Sequence, residues 1–149
     1  MSIGEYCNRE VIIVNRDETV QAAAKLMRQH HVGDVVVVED RSGVRIPVGI
    51  VTDRDIVVEI VATELDQSAI TVGDIMAPDL FAVKESADVF ESIQYMRRKT
   101  VRRLPVVNDE GGLVGILTLD DVLELLSAEL LDISKLIKYE QRKEVRHRP

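Results

Sequence analysis

The chain has a single cysteine, Cys7, among 149 residues. No internal disulfide can form, which sets aside the stapled scaffolds of small secreted domains and suits a reducing, cytoplasmic setting. Tryptophan is absent and aromatic residues make up 3%, so the interior must be built from Val, Ile, Leu, Met and Ala. No apolar run reaches the ~18 residues of a membrane span, and no leader-like apolar stretch opens the chain. A basic excess is missing too. Nineteen Lys and Arg stand against 26 Asp and Glu, a formal net charge of −7, which argues against nucleic acid as a general partner. Several chemistries lack their signatures: there is no His-Glu-x-x-His or Cys-x-x-Cys pattern, no Walker A loop, no Gly-x-Gly-x-x-Gly and no Gly-x-Ser-x-Gly. His30 and His31 are adjacent, and neighbours on a helix point about 100° apart, so they do not chelate together easily. Asp53/Asp55 and Asp120/Asp121 are paired carboxylates without a partner base or nucleophile. No catalytic residue, metal site or required cofactor is expected.

What is abundant is aliphatic. Hydrophobic residues make up 46% of the chain, and a core rich in β-branched residues points to buried strands. The pattern repeats. With a shift of 69, Ile3-Gly4-Glu5 falls on Val72-Gly73-Asp74, Val14 on Val83, Met27-Arg28 on Met96-Arg97, and Val35–Val38 on Leu104–Val107. The shift then becomes 66, and Gly49–Ile56 falls on Gly115–Val122. The three-residue difference is expected in the loop Arg41–Val48, longer than its counterpart Glu110–Val114, because a turn tip tolerates insertion.

Each repeat reads as β-α-β-β-α: a short apolar segment (Val11–Val14; Leu80–Val83), a helix with apolar residues at helical spacing (Val20 to Met27; Val89 to Met96) starting near Asp17 and Ser86, two strands around a polar turn, and a second helix (Asp53–Leu65; Leu119 onward). Pro105 inside a strand run requires an edge or a first strand position, since proline cannot donate to a ladder. The class is mixed α/β (α+β). Repeat one is placed at 3–66, repeat two at 72–131 and a basic helical tail at 132–149. Each repeat's sheet would have one bare face, and packing the two together buries both. In the last helix Leu123, Leu126, Leu130, Ile133 and Ile137 recur as a heptad seam, suited to a dimer contact or to packing on its own domain. The tail carries six basic residues against two acidic ones from Lys135 to Pro149. That fits a solvated helix end favoured by the helix dipole, or a contact to an acidic partner, a membrane surface or RNA.

The doubled Gly-h-h-Thr-x-x-Asp-h motif (h apolar; Gly49–Ile56 and Gly115–Val122), set in an in-register β-α-β-β-α repeat, resembles the cystathionine-β-synthase (CBS) domain. Val72-Gly73-Asp74-Ile75-Met76 is similar to the opening of such a repeat, and the likeness covers roughly residues 3–131. The resemblance implies a pseudo-twofold tandem pair that binds AMP, ADP, ATP or S-adenosylmethionine in clefts between repeats. It also implies a homodimer, and regulation of a separate protein partner rather than catalysis.

Thr-x-x-Asp alone is a capping box, with Thr at the N-cap and the acid reaching back. A third match, Thr71-Val72-Gly73-Asp74, has no Gly-h-h strand before it. Capping and binding are compatible: the resemblance assigns ribose contact to Asp55 and Asp121, with Thr52 and Thr118 beside them. Arg102-Arg103 matches the basic pair that family members binding AMP carry before the Leu-Pro-Val-Val strand. The matching positions in repeat one are Gly33-Asp34. Since the basic residues of one repeat are expected to face the ribose acid of the other, Thr52/Asp55 with Arg102/Arg103 is the expected phosphate-competent cleft. Thr118/Asp121, facing Asp34, is expected to be empty, weak, or filled by a ligand with little negative charge. Ile12, Val14 and Ile50 are candidate adenine linings as well as core residues. Arg54 is expected to pair with a neighbouring acid.

Overall fold

The computed structural model describes residues 1–148; Pro149, the last residue of the expected tail, lies outside them. Repeat one contains β1 (Ile13–Asn15), α1 (Val20–His30), β2 (Asp34–Arg41), β3 (Val44–Thr52) and α2 (Asp53–Ile56), which passes directly into a π-helical turn, Val57–Val61. A four-residue helix, α3 (Val72–Ile75), leads into repeat two: β4 (Val83–Lys84), α4 (Val89–Lys99), β5 (Arg103–Val107), β6 (Leu113–Thr118) and α5 (Leu119–His147). The strands form two three-stranded sheets, β1-β2-β3 and β4-β5-β6. In each the first pair is parallel and the second an antiparallel hairpin.

The sequence offsets reappear in the register. Val14 pairs with Val37 and Val83 with Val106, while Asp34 pairs with Thr52 and Arg103 with Thr118. Both hairpins carry a bulge, at Val37/Val38 and at Val106/Val107. The extra three residues of repeat one are not in a loop as expected. They lengthen the ladder, with Glu39, Asp40 and Arg41 pairing with Ile46, Arg45 and Val44 around a tight Ser42-Gly43 turn. Ser42 and Gly43 both have positive φ, the turn geometry that suits the twist of a two-residue hairpin. Repeat two turns more widely, and there the Asn108 side chain accepts from the Glu110 and Gly112 amides.

Helices α1 and α4 start two residues later than expected, at Thr19 and Asp88. Each of these side chains accepts from amides of the first turn, satisfying donors that have no partner within the helix. Asp17 and Ser86 lie in the turns before them. Pro105 is neither terminal nor at an edge: it sits third in β5, the central strand. Its counterpart Val36 shows how this is tolerated. The Val36 amide donates to the Ile12 carbonyl; proline has no such donor, and β4 begins only opposite Val106. Repeat two gives up that bond, and its first strand is one residue shorter.

The repeats exchange their leading segments. Ile3 and Gly4 donate to the carbonyls of Ala87 and Glu85, while Val72 and Gly73 donate to those of Glu18 and Arg16. Ile3 is therefore buried in the core of repeat two with Val89, Met96, Leu104 and Leu117. Val72 is buried in that of repeat one with Val14, Ala23, Met27 and Val35. A third cluster joins the sheets, with Val36 and Val38 of repeat one packed against Ile116 of repeat two. Each core takes residues from both repeats, so neither has a complete interior alone. Helix α5 is unbroken across residues 131 and 132, where the tail was expected to begin.

Candidate functional site

All three Thr-x-x-Asp segments are capping boxes. Thr52, Thr71 and Thr118 each accept from the amide three residues on, and Asp55, Asp74 and Asp121 each accept from the threonine amide. In the exposed Thr71 box these hydrogen bonds, from the Thr71 backbone first, hold the Asp74 carboxyl below its ordinary range. The threonine-and-acid pattern is thus a folding device in every copy, and position alone distinguishes the copies.

The copy at Thr118/Asp121 opens on a cleft of about 320 Å³ between the repeats. Repeat one contributes the extended lead Asn8–Ile12 and the corner Val32-Gly33-Asp34; repeat two contributes Arg102-Arg103, Ile116 and the start of α5 at Thr118–Asp121. Asn8 is held there by a reciprocal pair of backbone hydrogen bonds to Ile116, both 2.9 Å. Val11, Ile12 and Ile116 give one apolar side. Asp121 closes the other: its Oδ2 accepts from the Thr118 amide at 3.0 Å, and no donor among the described residues engages its Oδ1.

Arg103 and Asp34 are counterparts under the repeat, and they meet. Arg103 Nε donates to Asp34 Oδ2 at 2.8 Å, with the side chains 32% and 18% exposed. A position that faces its own copy across a pseudo-twofold would suffer from two like charges; here opposite charges make an inter-repeat ion pair. Arg102 is exposed and has no ion-pair partner among the described residues. Four acids (Glu10, Asp34, Asp120, Asp121) and two arginines line the cleft. With Arg103 committed to Asp34, Arg102 is the cation left for a ligand.

Thr118/Asp121 faces Gly33 and Asp34 as expected, but the basic pair is not across from it with Thr52/Asp55. Arg102 lines the Thr118/Asp121 cleft together with Gly33 and Asp34, and Arg103 lines both clefts. The reason lies in the hairpin: Arg103 is the direct ladder partner of Thr118, and the Arg102 carbonyl accepts from the Leu119 amide, so the basic pair stays beside its own repeat's motif. The pseudo-twofold mate is lined by Ile50, Ala77, Asp79, Leu80, Phe81, Val101 and Arg103 and measures about 140 Å³. Leu80 and Phe81 stand where Val11 and Ile12 stand in the larger cleft, and bulkier side chains occupy the space. Thr52 and Asp55 line neither cleft. Ile12 lines the larger cleft and Ile50 the smaller, but Val14 is buried in the core of repeat one and lines neither. Arg54 makes no ion pair among the described residues; its amide donates to Asp53.

Sequence reasoning missed Asn8, Glu10, Val11 and Asp120. The lead segments carry little motif, and only the crossing of the leads brings Asn8–Ile12 to the repeat-two motif. No group of three or more His, Cys, Asp or Glu residues that could hold a metal ion occurs among the described residues. No described helix is long and apolar enough to cross a membrane.

The family model for the CBS domain matches this chain twice, at residues 3–62 and 72–128. An uncharacterized protein of Methanopyrus kandleri is 37% identical over 125 residues, 84% of this chain and 62% of that protein's length. Hypoxic response protein 1 of Mycobacterium tuberculosis is 36% identical over 118 residues, 79% of this chain and 80% of that protein. Among solved structures, Hypoxic Response Protein I, crystallised with two coordinated zinc ions, superposes with a TM-score of 0.72 at 32% identity over 83% of this chain and 98% of its own.

Proposed function

The chain belongs to the CBS domain family as a tandem pair, and from that premise we propose that it is a non-catalytic regulatory sensor. Its ligand is an adenosine compound of low negative charge, held in the Thr118/Asp121 cleft. One observation carries the reading: Asp121 offers a free carboxylate oxygen in a cleft whose other side is apolar and whose one available cation is Arg102. The carboxylate suits a ribose diol, the apolar side of Val11, Ile12 and Ile116 suits a base, and Arg102 suits a single phosphate. The volume of about 320 Å³ lies at the lower end of small-molecule sites, which fits a nucleoside, a monophosphate or S-adenosylmethionine. The acidic lining disfavours a polyphosphate, because charge repulsion in a part-buried site is poorly screened. S-adenosylmethionine, a sulfonium cation, gains from the same acids.

A ligand there touches both repeats and so can shift their relative arrangement, provided it binds one arrangement better than the other. The regulated protein reads that shift, and the module acts as a homodimer. Calorimetry with AMP, ADP, ATP and S-adenosylmethionine tests the reading on the wild type, Asp121→Ala and Asp55→Ala. One site per chain, lost in Asp121→Ala and kept in Asp55→Ala, with ATP weakest, is the expected result. Loss in Asp55→Ala alone moves the site to the smaller cleft, and ATP binding tightest refutes the charge argument. No binding of any of the four at millimolar concentration leaves a ligand-free docking module.

A further inference from the structure

Helix α5 leaves the body of the protein after its second turn. Val122 is buried, and Leu119 and Leu125 pack on the core of repeat two. From Leu126 onward every described residue is exposed. The projecting part, Leu126–His147, is roughly 33 Å long at 1.5 Å per residue. It is not a polar spike: Leu123, Leu126, Leu130, Ile133 and Ile137 form one stripe and are between 36% and 67% exposed. Most helical stability in proteins comes from packing an amphipathic face, and a heptad-spaced stripe is the surface that a second helix covers.

Charge selects the occupant and its direction. From Leu119 to Asp132 the helix carries five acids and no base; from Ile133 to Arg148 it carries six basic residues and two acids. Two copies side by side in parallel would place acidic half on acidic half and basic on basic, and would also bring Glu140 and Glu144, which continue the seam, against their own copies. Reversed, each acidic half lies along a basic half, and the helix dipoles oppose. The apolar register closes in this direction with the pair centred between residues 131 and 132: Leu126 falls opposite the partner's Ile137 and Leu130 opposite the partner's Ile133, Asp120 and Asp121 lie along the partner's Lys143 and the partner's Arg142, and Glu140 lies over Leu123 instead of against its own copy. Resting on the homodimer reading above, we infer that the α5 stripe is the interface with a second copy of this chain, whose α5 runs antiparallel.

The experiment uses the full chain. Light scattering is expected to give twice 16.7 kDa, and Leu130→Glu, at an exposed position, is expected to give a monomer with unchanged helix content by circular dichroism. Direction is read from spin labels on Gln141→Cys in a Cys7→Ser background. Antiparallel helices centred between residues 131 and 132 separate the two labels by 19 residue rises, about 29 Å; parallel helices bring them within about 20 Å. The short distance overturns the antiparallel arrangement and keeps the dimer. A wild-type monomer overturns the dimer reading and this inference together, and a monomer that pellets with anionic vesicles assigns the stripe to a membrane surface. Ligand binding by a monomer leaves the sensor reading standing on its own.

Discussion

Replacing Gly115 by alanine tests whether the exchanged leading segment is held by close backbone approach. A Cβ at Gly115 would lie 2.7 Å from Cys7 Sγ, 2.9 Å from the Asn8 carbonyl oxygen and 3.4 Å from Cys7 Cβ. The cysteine can turn its side chain; the Asn8 carbonyl cannot yield independently, because it accepts from the Ile116 amide while the Asn8 amide donates to the Ile116 carbonyl, both at 2.9 Å. Restoring an ordinary contact moves Asn8 outward by about half an ångström, which stretches both bonds to the limit of hydrogen-bond geometry. Loss of most of two bonds costs about 2 kcal/mol, and strain elsewhere adds about 1 kcal/mol. The stiffer unfolded chain returns up to about 1 kcal/mol, since Gly115 needs no positive φ. The net is a destabilisation of about 2 kcal/mol, or a Tm lower by roughly 4–8 °C for a chain of this length. The control is Gly49→Ala, the pseudo-symmetric site, where all three close contacts are with the Met76 side chain, its Sδ at 2.5 Å. An unbranched thioether repacks readily, so that loss should stay near or below about 1 kcal/mol. Thermal and urea unfolding of both variants measure the difference, and calorimetry should show weaker ligand binding in Gly115→Ala alone, because Asn8 lines the larger cleft. A Gly115→Ala protein as stable as the wild type, or a Gly49→Ala protein that loses more, refutes the reasoning.

Asp34→Asn frees Arg103 from its 2.8 Å partner. Unfolding should show a loss under about 1 kcal/mol, as the pair is part-exposed and the amide still accepts. In calorimetry, AMP should gain affinity relative to S-adenosylmethionine; an unchanged ratio would mean that Arg103 does not reach the ligand. The Asp74 carboxyl is held below its ordinary range by the Thr71 amide and hydroxyl, so its capping contribution is present above the unfolded Asp value and is lost as pH falls through the lower folded value. The Tm difference between wild type and Asp74→Asn should be constant above about pH 5 and shrink below that range; a difference that grows on acidification contradicts the capping assignment. Burial pushes the Cys7 thiol up, with Arg9 only partly opposing it. Alkylation of the native protein at neutral pH should therefore be slower than in urea, and equal rates would show that the leading segment opens freely.

The repeat, the element order and the capping boxes at Thr52 and Thr118 were legible in the sequence because each rests on local patterning: aliphatic periods of two and of 3.6, and a threonine three residues before an acid. The third box, at Thr71, reads in the sequence only as a match to that pattern in the linker, and is a cap because α3 follows it. The same patterning set the chemistry of the α5 seam and its charge reversal. Tertiary structure decided what local pattern cannot carry. The leading segments cross, so Ile3 completes the core of repeat two and Asn8–Ile12 meets Thr118/Asp121; nothing in a ladder-free lead of a few residues specifies whose core it joins. The hairpin keeps Arg102 beside its own repeat's motif, which puts the basic pair in the cleft where the sequence led us to expect only Gly33 and Asp34. Val14 was a plausible lining by its neighbours and a core residue by its facing, since alternate residues of a strand point to opposite sides. The pairing of Arg103 with Asp34 followed from superposing a repeat on itself: residues 69 apart in sequence, unremarkable separately, become opposite charges 2.8 Å apart where the two copies face.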